Sequence, residues 1–110
     1  MSKSKHFTIL YTRSAEEDIL AKAEYIEKVF HDSRLAYTWY QRLRNEIQKE
    51  LTFLPKKYQI YDQSPWKEME IREFIFRNDI IMYSVNDEQG TVIIHAVFTA
   101  GKDLSEDVFE

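Results

Sequence analysis

The spacing of apolar residues changes once along this chain, and that change limits the folds it can adopt. Between residues 14 and 54, apolar residues recur every three or four positions, which is the period of an amphipathic helix. Between residues 69 and 99, β-branched and aromatic residues form short runs typical of strands. A further run of this kind, HFTILYT at 6–12, precedes both regions. The sequence therefore predicts the order β-α-α-β-β-β.

Two helices are predicted, separated by the polar stretch HDS at 31–33. The first begins at Ser14, which is expected to form a capping box with Glu17. The second begins at a Ser33 cap and ends at Pro55, because proline has no backbone N–H and clashes with the preceding turn. Because the connection is only a few residues long, we expect the helices to pack as an antiparallel hairpin.

Three strands are predicted after an irregular link, at about 69–76, 80–86 and 91–99. The polar triplet 77–79 and the segment 86–90, which ends in glycine, are turns that would give an antiparallel meander. We expect the opening strand to pair with this meander and the helices to cover one side of it. The predicted fold class is α+β, with a helical hairpin packed on one face of an antiparallel sheet. The opposite face would be partly bare and free to hold a guest molecule.

The composition fits a single domain spanning 1–110. Hydrophobic residues make up 44% and charged residues 31% of the 110, as in ordinary globular chains. The absence of cysteine excludes disulfides, thiolate metal sites and cysteine nucleophiles, and it fits a reducing compartment. No stretch approaches the roughly 20 apolar residues needed to cross a bilayer, so we expect no membrane segment and a cytoplasmic location.

Little in the chain points to chemistry of its own. The three histidines, His6, His31 and His95, lack the close spacing of a metal site, so neither a metal nor a cofactor is expected. His95 is interpreted as a hydrogen-bonded core residue. With only two glycines there is no phosphate-binding loop, and no serine, histidine and acidic residue come together as a hydrolytic set. Binding is favoured over catalysis.

Arg72 stands among aromatic residues in the strand EIREFIF. Alternation along a strand places Arg72, Phe74 and Phe76 on one face. A guanidinium beside aromatic rings suits a carboxylate, a phosphate or a stacked base, whereas a cross-strand ion pair is the structural alternative. Arg77, beside a turn, is more typical of plain surface.

Several segments taken together resemble the RelE/ParE superfamily of small bacterial toxins. They are the opening YTRSAEEDI, the second helix with its Trp-Tyr pair, and the later segments EIREF, IIMYSV and VIIHAVFTAGKDL. The resemblance covers roughly residues 7–105 and implies the same fold as the periodicity. It also implies the toxin of a type II toxin-antitoxin module, of the plasmid stabilization type, neutralised by a cognate antitoxin.

The resemblance implies one of two activities. RelE-like relatives cleave messenger RNA on the ribosome, whereas ParE-like relatives bind and inhibit DNA gyrase without catalytic residues of their own. Arg72 and Lys102 match basic positions of the RelE-like group and are the catalytic candidates if the protein is an endoribonuclease. Four other positions depart from that group: Ile80, Thr99, Asp103 and Phe109. The ParE-like role is therefore favoured, with a ribonuclease or a non-toxic binding relative as alternatives.

The residues expected to contact the antitoxin or the target are Arg72, Phe74, Arg77, Tyr83 and Lys102. Arg72 is expected on the open face of the sheet. The expected partners are the antitoxin and DNA gyrase, with the ribosome and its mRNA as the alternative to gyrase. A homodimer and a hetero-oligomer with the antitoxin both stay open. The closing SEDVFE is acidic and contains Phe109, which suggests docking back onto the basic second helix.

Overall fold

The computed structural model describes residues 5–100 and has the predicted order of elements. The helices and strands are, in chain order, β1 (Thr8–Tyr11), α1 (Arg13–Phe30), α2 (Ser33–Leu51), β2 (Arg72–Phe76), β3 (Asp79–Asn86) and β4 (Thr91–Thr99). A single 3-10 turn, Pro55–Lys57, follows α2. The strands form one sheet in the order β1-β4-β3-β2. Within residues 5–100, neither helix is long and apolar enough to cross a membrane.

The sheet is mixed, which corrects the expectation of a fully antiparallel one. β2, β3 and β4 form the predicted antiparallel meander. β1 instead runs parallel to β4, with Thr8 opposite Thr91 and Tyr11 opposite Ile94. A parallel pair needs a connection of a dozen or more residues, and the chain between these two strands contains both helices. The apolar pattern of β1 is the same for either direction, so the sequence did not distinguish them.

Both helices begin at a cap that precedes the predicted one. The Thr12 side chain accepts a hydrogen bond of 3.0 Å from the backbone N–H of Ala15, and Ser14 already lies inside α1. The Asp32 carboxylate accepts bonds of 3.0 and 3.2 Å from two backbone N–H groups at the start of α2, and Ser33 is the first residue of that helix. The predicted capping roles of the two serines are therefore wrong, because a threonine and an aspartate one or two residues earlier already satisfy free donors of the first turn.

The main core lies between the helical hairpin and one face of the sheet, as predicted. Its members are the buried apolar side chains on the inner faces of both layers: Phe7, Ala15, Ile19, Leu43, Ile47, Leu51, Phe74, Ile81, Tyr83, Val92, Ile94 and Val97. Burial of apolar surface contributes roughly 25 cal/mol per Å². The hairpin is therefore fixed to the sheet chiefly by the apolar stripes that the sequence pattern showed.

The opposite face of the sheet is partly covered by the chain itself. The link between α2 and β2 crosses it, and Ile71 packs there with Met82 and Ala96 in a second, smaller cluster. The Trp66 ring meets the Phe98 ring edge-on, with 6.5 Å between centroids. The predicted face is therefore only partly bare, and in this area the link between α2 and β2 covers it with its own aromatic residues.

Strand β4 contains one extra residue relative to β3. Met82 lies opposite Ala96, but Tyr83 lies opposite Ile94, so His95 forms a β-bulge. Ile94 and Val97 consequently both belong to the helix-facing core. His95 is hydrogen-bonded to Ser84, as predicted for a hydrogen-bonded residue, and its side chain lies on the face opposite to Val97.

A buried carboxylate joins three elements at the start of β3. Asp79, only 2% exposed, forms an ion pair with Lys22 of α1. It also accepts a hydrogen bond of 2.9 Å from the indole Nε1 of Trp39 in α2. Both carboxylate oxygens thus have partners, which a buried charge requires.

We expect Asp79→Ala to lower the free energy of unfolding by about 3–5 kcal/mol, because it leaves the ammonium group of Lys22 and the indole N–H of Trp39 without their acceptor. Urea unfolding measures the loss. Glu17→Ala is the matched control, since it removes one partner of an exposed ion pair with Arg13 and should cost about 0.5 kcal/mol or less. Similar small losses in both variants would contradict a structural role for Asp79.

Candidate functional site

A groove lies at the end of the sheet where β3 extends beyond β2. The last residue pair between these strands is Arg72 with Tyr83, so Ser84–Asn86 continue without a neighbour in β2. The groove has a volume of about 510 Å³, and it is called the β3-end groove below. Its main lining residues are Lys56, Met69, Glu70, Arg72, Ser84 and Asp87. We describe this groove as the candidate site because Arg72 lines it.

Arg72 is held by backbone carbonyls rather than pointing freely into the groove. Its Nη1 donates hydrogen bonds of 2.6 Å to the carbonyl oxygen of Tyr58 and 3.2 Å to that of Lys56. The neighbouring Tyr83 hydroxyl donates a bond of 2.5 Å to the carbonyl oxygen of Pro55. Burial raises the pKa of Tyr83, so this hydroxyl keeps its proton and acts as a donor. The side chains of Arg72 and Tyr83 thus bind the segment that follows α2 to the sheet.

The position of Arg72 corrects the expectation that it lies on the open face. Cross-strand partners in an antiparallel pair project to the same side, and Tyr83, the partner of Arg72, belongs to the helix-facing core. Arg72 therefore projects to the helix side, at the edge of that layer. Alternation correctly grouped Arg72 with Phe74 and Phe76, but it could not tell which face they share.

The second cation of the groove is also engaged. The ammonium group of Lys56 forms an ion pair with the Asp87 carboxylate, and its hydrogen bond lowers the pKa of Asp87. Glu70 and Glu88 add two further carboxylates to the lining. The groove therefore carries more acidic than basic side chains, and it does not concentrate positive charge for a phosphate.

A serine-histidine pair lies beside the groove. The Ser84 hydroxyl, which lines it, is 2.8 Å from Nε2 of His95. Burial lowers the pKa of His95, so the imidazole is neutral near pH 7. The pair is consequently a contact between two uncharged groups. It adds no positive charge to the groove.

The remaining predicted site residues do not join Arg72. Phe74 and Tyr83 are 4% and 0% exposed, so their expected contact with a partner does not fit their place in the core. Arg77 lies in the turn at the other end of β2, with φ of 57° and its guanidinium carbon 5.3 Å from the centre of the Phe76 ring. Since a strand rises about 3.3 Å per residue, five residues separate Arg72 from Arg77 by roughly 16 Å. Lys102 lies outside the described residues.

Sequence reasoning missed Lys56, Ser84 and Asp87. Lys56 and Asp87 are 31 residues apart, and each stands in a segment that reads as polar connection. Ser84 is a small polar residue within the mainly apolar middle of β3, which could have been noticed as a position facing away from the core. Nothing in the spacing of the three residues indicates that they meet.

We expect Arg72→Ala to lower the free energy of unfolding by about 1.5–3 kcal/mol, because hydrogen bonds from the guanidinium to two carbonyls are lost. Chemical denaturation measures the change. Arg34→Ala removes an exposed arginine from α2 and should stay within about 0.5 kcal/mol of the parent protein. An Arg72 variant as stable as the Arg34 variant would show that the carbonyl contacts contribute little.

The fold is that of solved toxin-antitoxin proteins. A chain of the chromosomal ParDE TA system from P. aeruginosa aligns with a TM-score of 0.69 and 14% identity, over 88% of this chain and 99% of that chain. A chain of the toxin-antitoxin complex RelBE2 from Mycobacterium tuberculosis aligns with a TM-score of 0.66 and 15% identity, over 93% and 100%. No protein-family model and no curated protein sequence matches this chain significantly. The chain thus shares its α+β fold with these two chains, and this is the fold that its sequence segments predicted.

Proposed function

We propose that the chain is the toxin of a bacterial toxin-antitoxin pair and that it acts in the cytoplasm by binding and inhibiting DNA gyrase, in the ParE-like manner. A cognate antitoxin would neutralise it. The observation that carries the first part is the likeness in fold over 99% and 100% of two chains from ParDE and RelBE systems. A likeness over whole chains of matching size favours the same kind of molecule over a shared substructure.

The electrostatics of the β3-end groove support binding over RNA cleavage. Cleaving RNA requires cationic groups around the scissile phosphate, where charge develops. Lys56 is paired with Asp87, and Arg72 donates to backbone carbonyls. The neutral His95 adds no charge. A net charge of −4 also disfavours approach to ribosomal RNA.

The outer surface of α1 supports a protein target. Tyr25 and Val29 stand one helical turn apart and are 63% and 48% exposed. Tyrosine is enriched among the residues that contribute most to protein-protein binding, and the neighbouring valine adds exposed apolar surface to the same side of the helix. This pair is the part of the surface that we assign to the target.

Gyrase and ribosome assays with the purified chain separate the candidate activities. We expect loss of DNA supercoiling by gyrase, with messenger RNA left intact on translating ribosomes. The antitoxin, added before gyrase, should restore supercoiling. Ribosome-dependent cleavage of mRNA would instead indicate a RelE-like ribonuclease, and inactivity in both assays would indicate a non-toxic relative.

The α1 surface can be tested separately. We expect Tyr25→Ala and Val29→Ala each to weaken gyrase inhibition by about tenfold, or ~1.4 kcal/mol, because they remove apolar contacts from the centre of an interface. Tyr37→Ala is the matched control, since it truncates a tyrosine of α2 that is 59% exposed. Dose-response curves of supercoiling inhibition provide the measurement. An equal effect of all three substitutions would refute the assignment of the target to α1.

A further inference from the structure

An apolar groove lies where the connection of the two helices meets the β2–β3 turn. It has a volume of about 250 Å³ and is lined by the apolar side chains of Ile26, Phe30, Leu35, Trp39 and Phe76. Phe30 and Leu35 are 60% and 42% exposed. Covering this apolar surface would release free energy, since apolar surface in contact with water is unfavourable. We call it the hairpin-tip groove.

Thr38 and two arginines complete the lining of the hairpin-tip groove. Arg42 comes from α2, and Arg77 from the turn between β2 and β3. Neither forms an ion pair with any residue in the range 5–100. Unpaired guanidinium groups beside an apolar surface favour an occupant that carries both carboxylates and apolar side chains.

The end of β4 lies close to this groove. Thr99 is the last residue of β4 and pairs with Asp79. The backbone N–H of Ala100 donates a hydrogen bond to the carbonyl oxygen of Asn78, the residue next to Arg77. The nine residues from there to Phe109 reach at most about 30 Å when extended. The segment that follows residue 100 thus starts beside the groove and is long enough to enter it.

The sequence of residues 101–110, GKDLSEDVFE, matches the chemistry of the groove. It has four carboxylate side chains against one lysine. Its apolar side chains are Leu104, Val108 and Phe109. The apolar side chains of the groove match the apolar side chains of the segment. The two arginines of the groove, which have no ion-pair partner in the described residues, match the carboxylates of the segment.

We propose that residues 101–110 bind in the hairpin-tip groove of their own chain, with apolar side chains on its floor and carboxylates paired with Arg42 and Arg77. Covalent attachment makes this contact intramolecular, so the effective concentration of the segment is in the millimolar range. A weak intrinsic affinity is then sufficient for occupancy. This inference is independent of the proposed target of the protein.

A spin label on the segment tests the proposal in the full chain. The chain has no cysteine, so Ser105→Cys gives a single attachment point. We expect NMR signals of the Ile26 and Leu35 methyl groups and of the Trp39 indole N–H to broaden. The Leu51 methyl groups should keep their intensity, because 16 residues of α2, about 24 Å, separate Leu51 from Leu35. Broadening centred on any other surface would overturn the proposal.

Reversing the charge of the two arginines is a second test of the proposal. Arg42→Glu combined with Arg77→Glu should remove the broadening, and adding Asp103→Lys with Asp107→Lys should restore it. The control Arg13→Glu with Lys67→Glu makes the same change in net charge at exposed sites outside the groove and should leave the broadening in place. The proposed ion pairs would be contradicted if the broadening remained in the double arginine variant, or if adding the two lysines did not restore it.

Two further samples test the integrity of the groove and the source of the bound segment. Val108→Ser with Phe109→Ser changes only the segment, so its expected loss of broadening cannot come from a damaged groove. A mixture of spin-labelled, unenriched protein with isotope-enriched, unlabelled protein should show no broadening. Broadening in that mixture would mean that a second copy fills the groove, which would contradict an intramolecular contact.

Discussion

The orientation of the helical hairpin on the sheet depends on the buried carboxylate of Asp79. Apolar burial holds the two layers together but has no direction, so it would tolerate small shifts of the hairpin. Asp79 adds contacts of fixed geometry, one to Lys22 of α1 and one to Trp39 of α2. Because a buried charge is costly unless it is paired, displacing either helix would be penalised. The carboxylate thus positions both helices relative to β3.

Much of the architecture could be predicted because it depends on local patterns. The helical and strand periods predicted both helices and all four strands, and the short connections predicted the hairpin and the meander. The direction of β1 could not be predicted, since its alternating residues Thr8–Tyr11 suit a parallel or an antiparallel neighbour equally. The bulge at His95 was also missed, because an extra residue in one strand is defined only by the partner strand.

The candidate site was harder to predict than the fold. Arg72 was correctly singled out, but its bonds to the carbonyls of Lys56 and Tyr58 join positions 14 and 16 residues away that have no common pattern. Phe74 and Tyr83 were expected at a binding surface because they are aromatic, yet aromatic residues in a strand serve the core equally well. The same sequence can thus identify the important strand without identifying the side of it that is exposed.

The bulge in β4 has a consequence for how the strand can vary. Ahead of His95 the inward positions are Val92 and Ile94, and beyond it the inward position is Val97. The inserted residue therefore reverses the phase of the alternation for the rest of the strand. Deleting His95 would leave Ile94, Ala96 and Val97 opposite Tyr83, Met82 and Ile81 in a regular ladder, so Val97 would stay in the helical layer. A strand of unchanged length that paired without the bulge would instead turn Val97 outward and Ala96 and Phe98 inward, so it would need the opposite order of apolar residues after position 95.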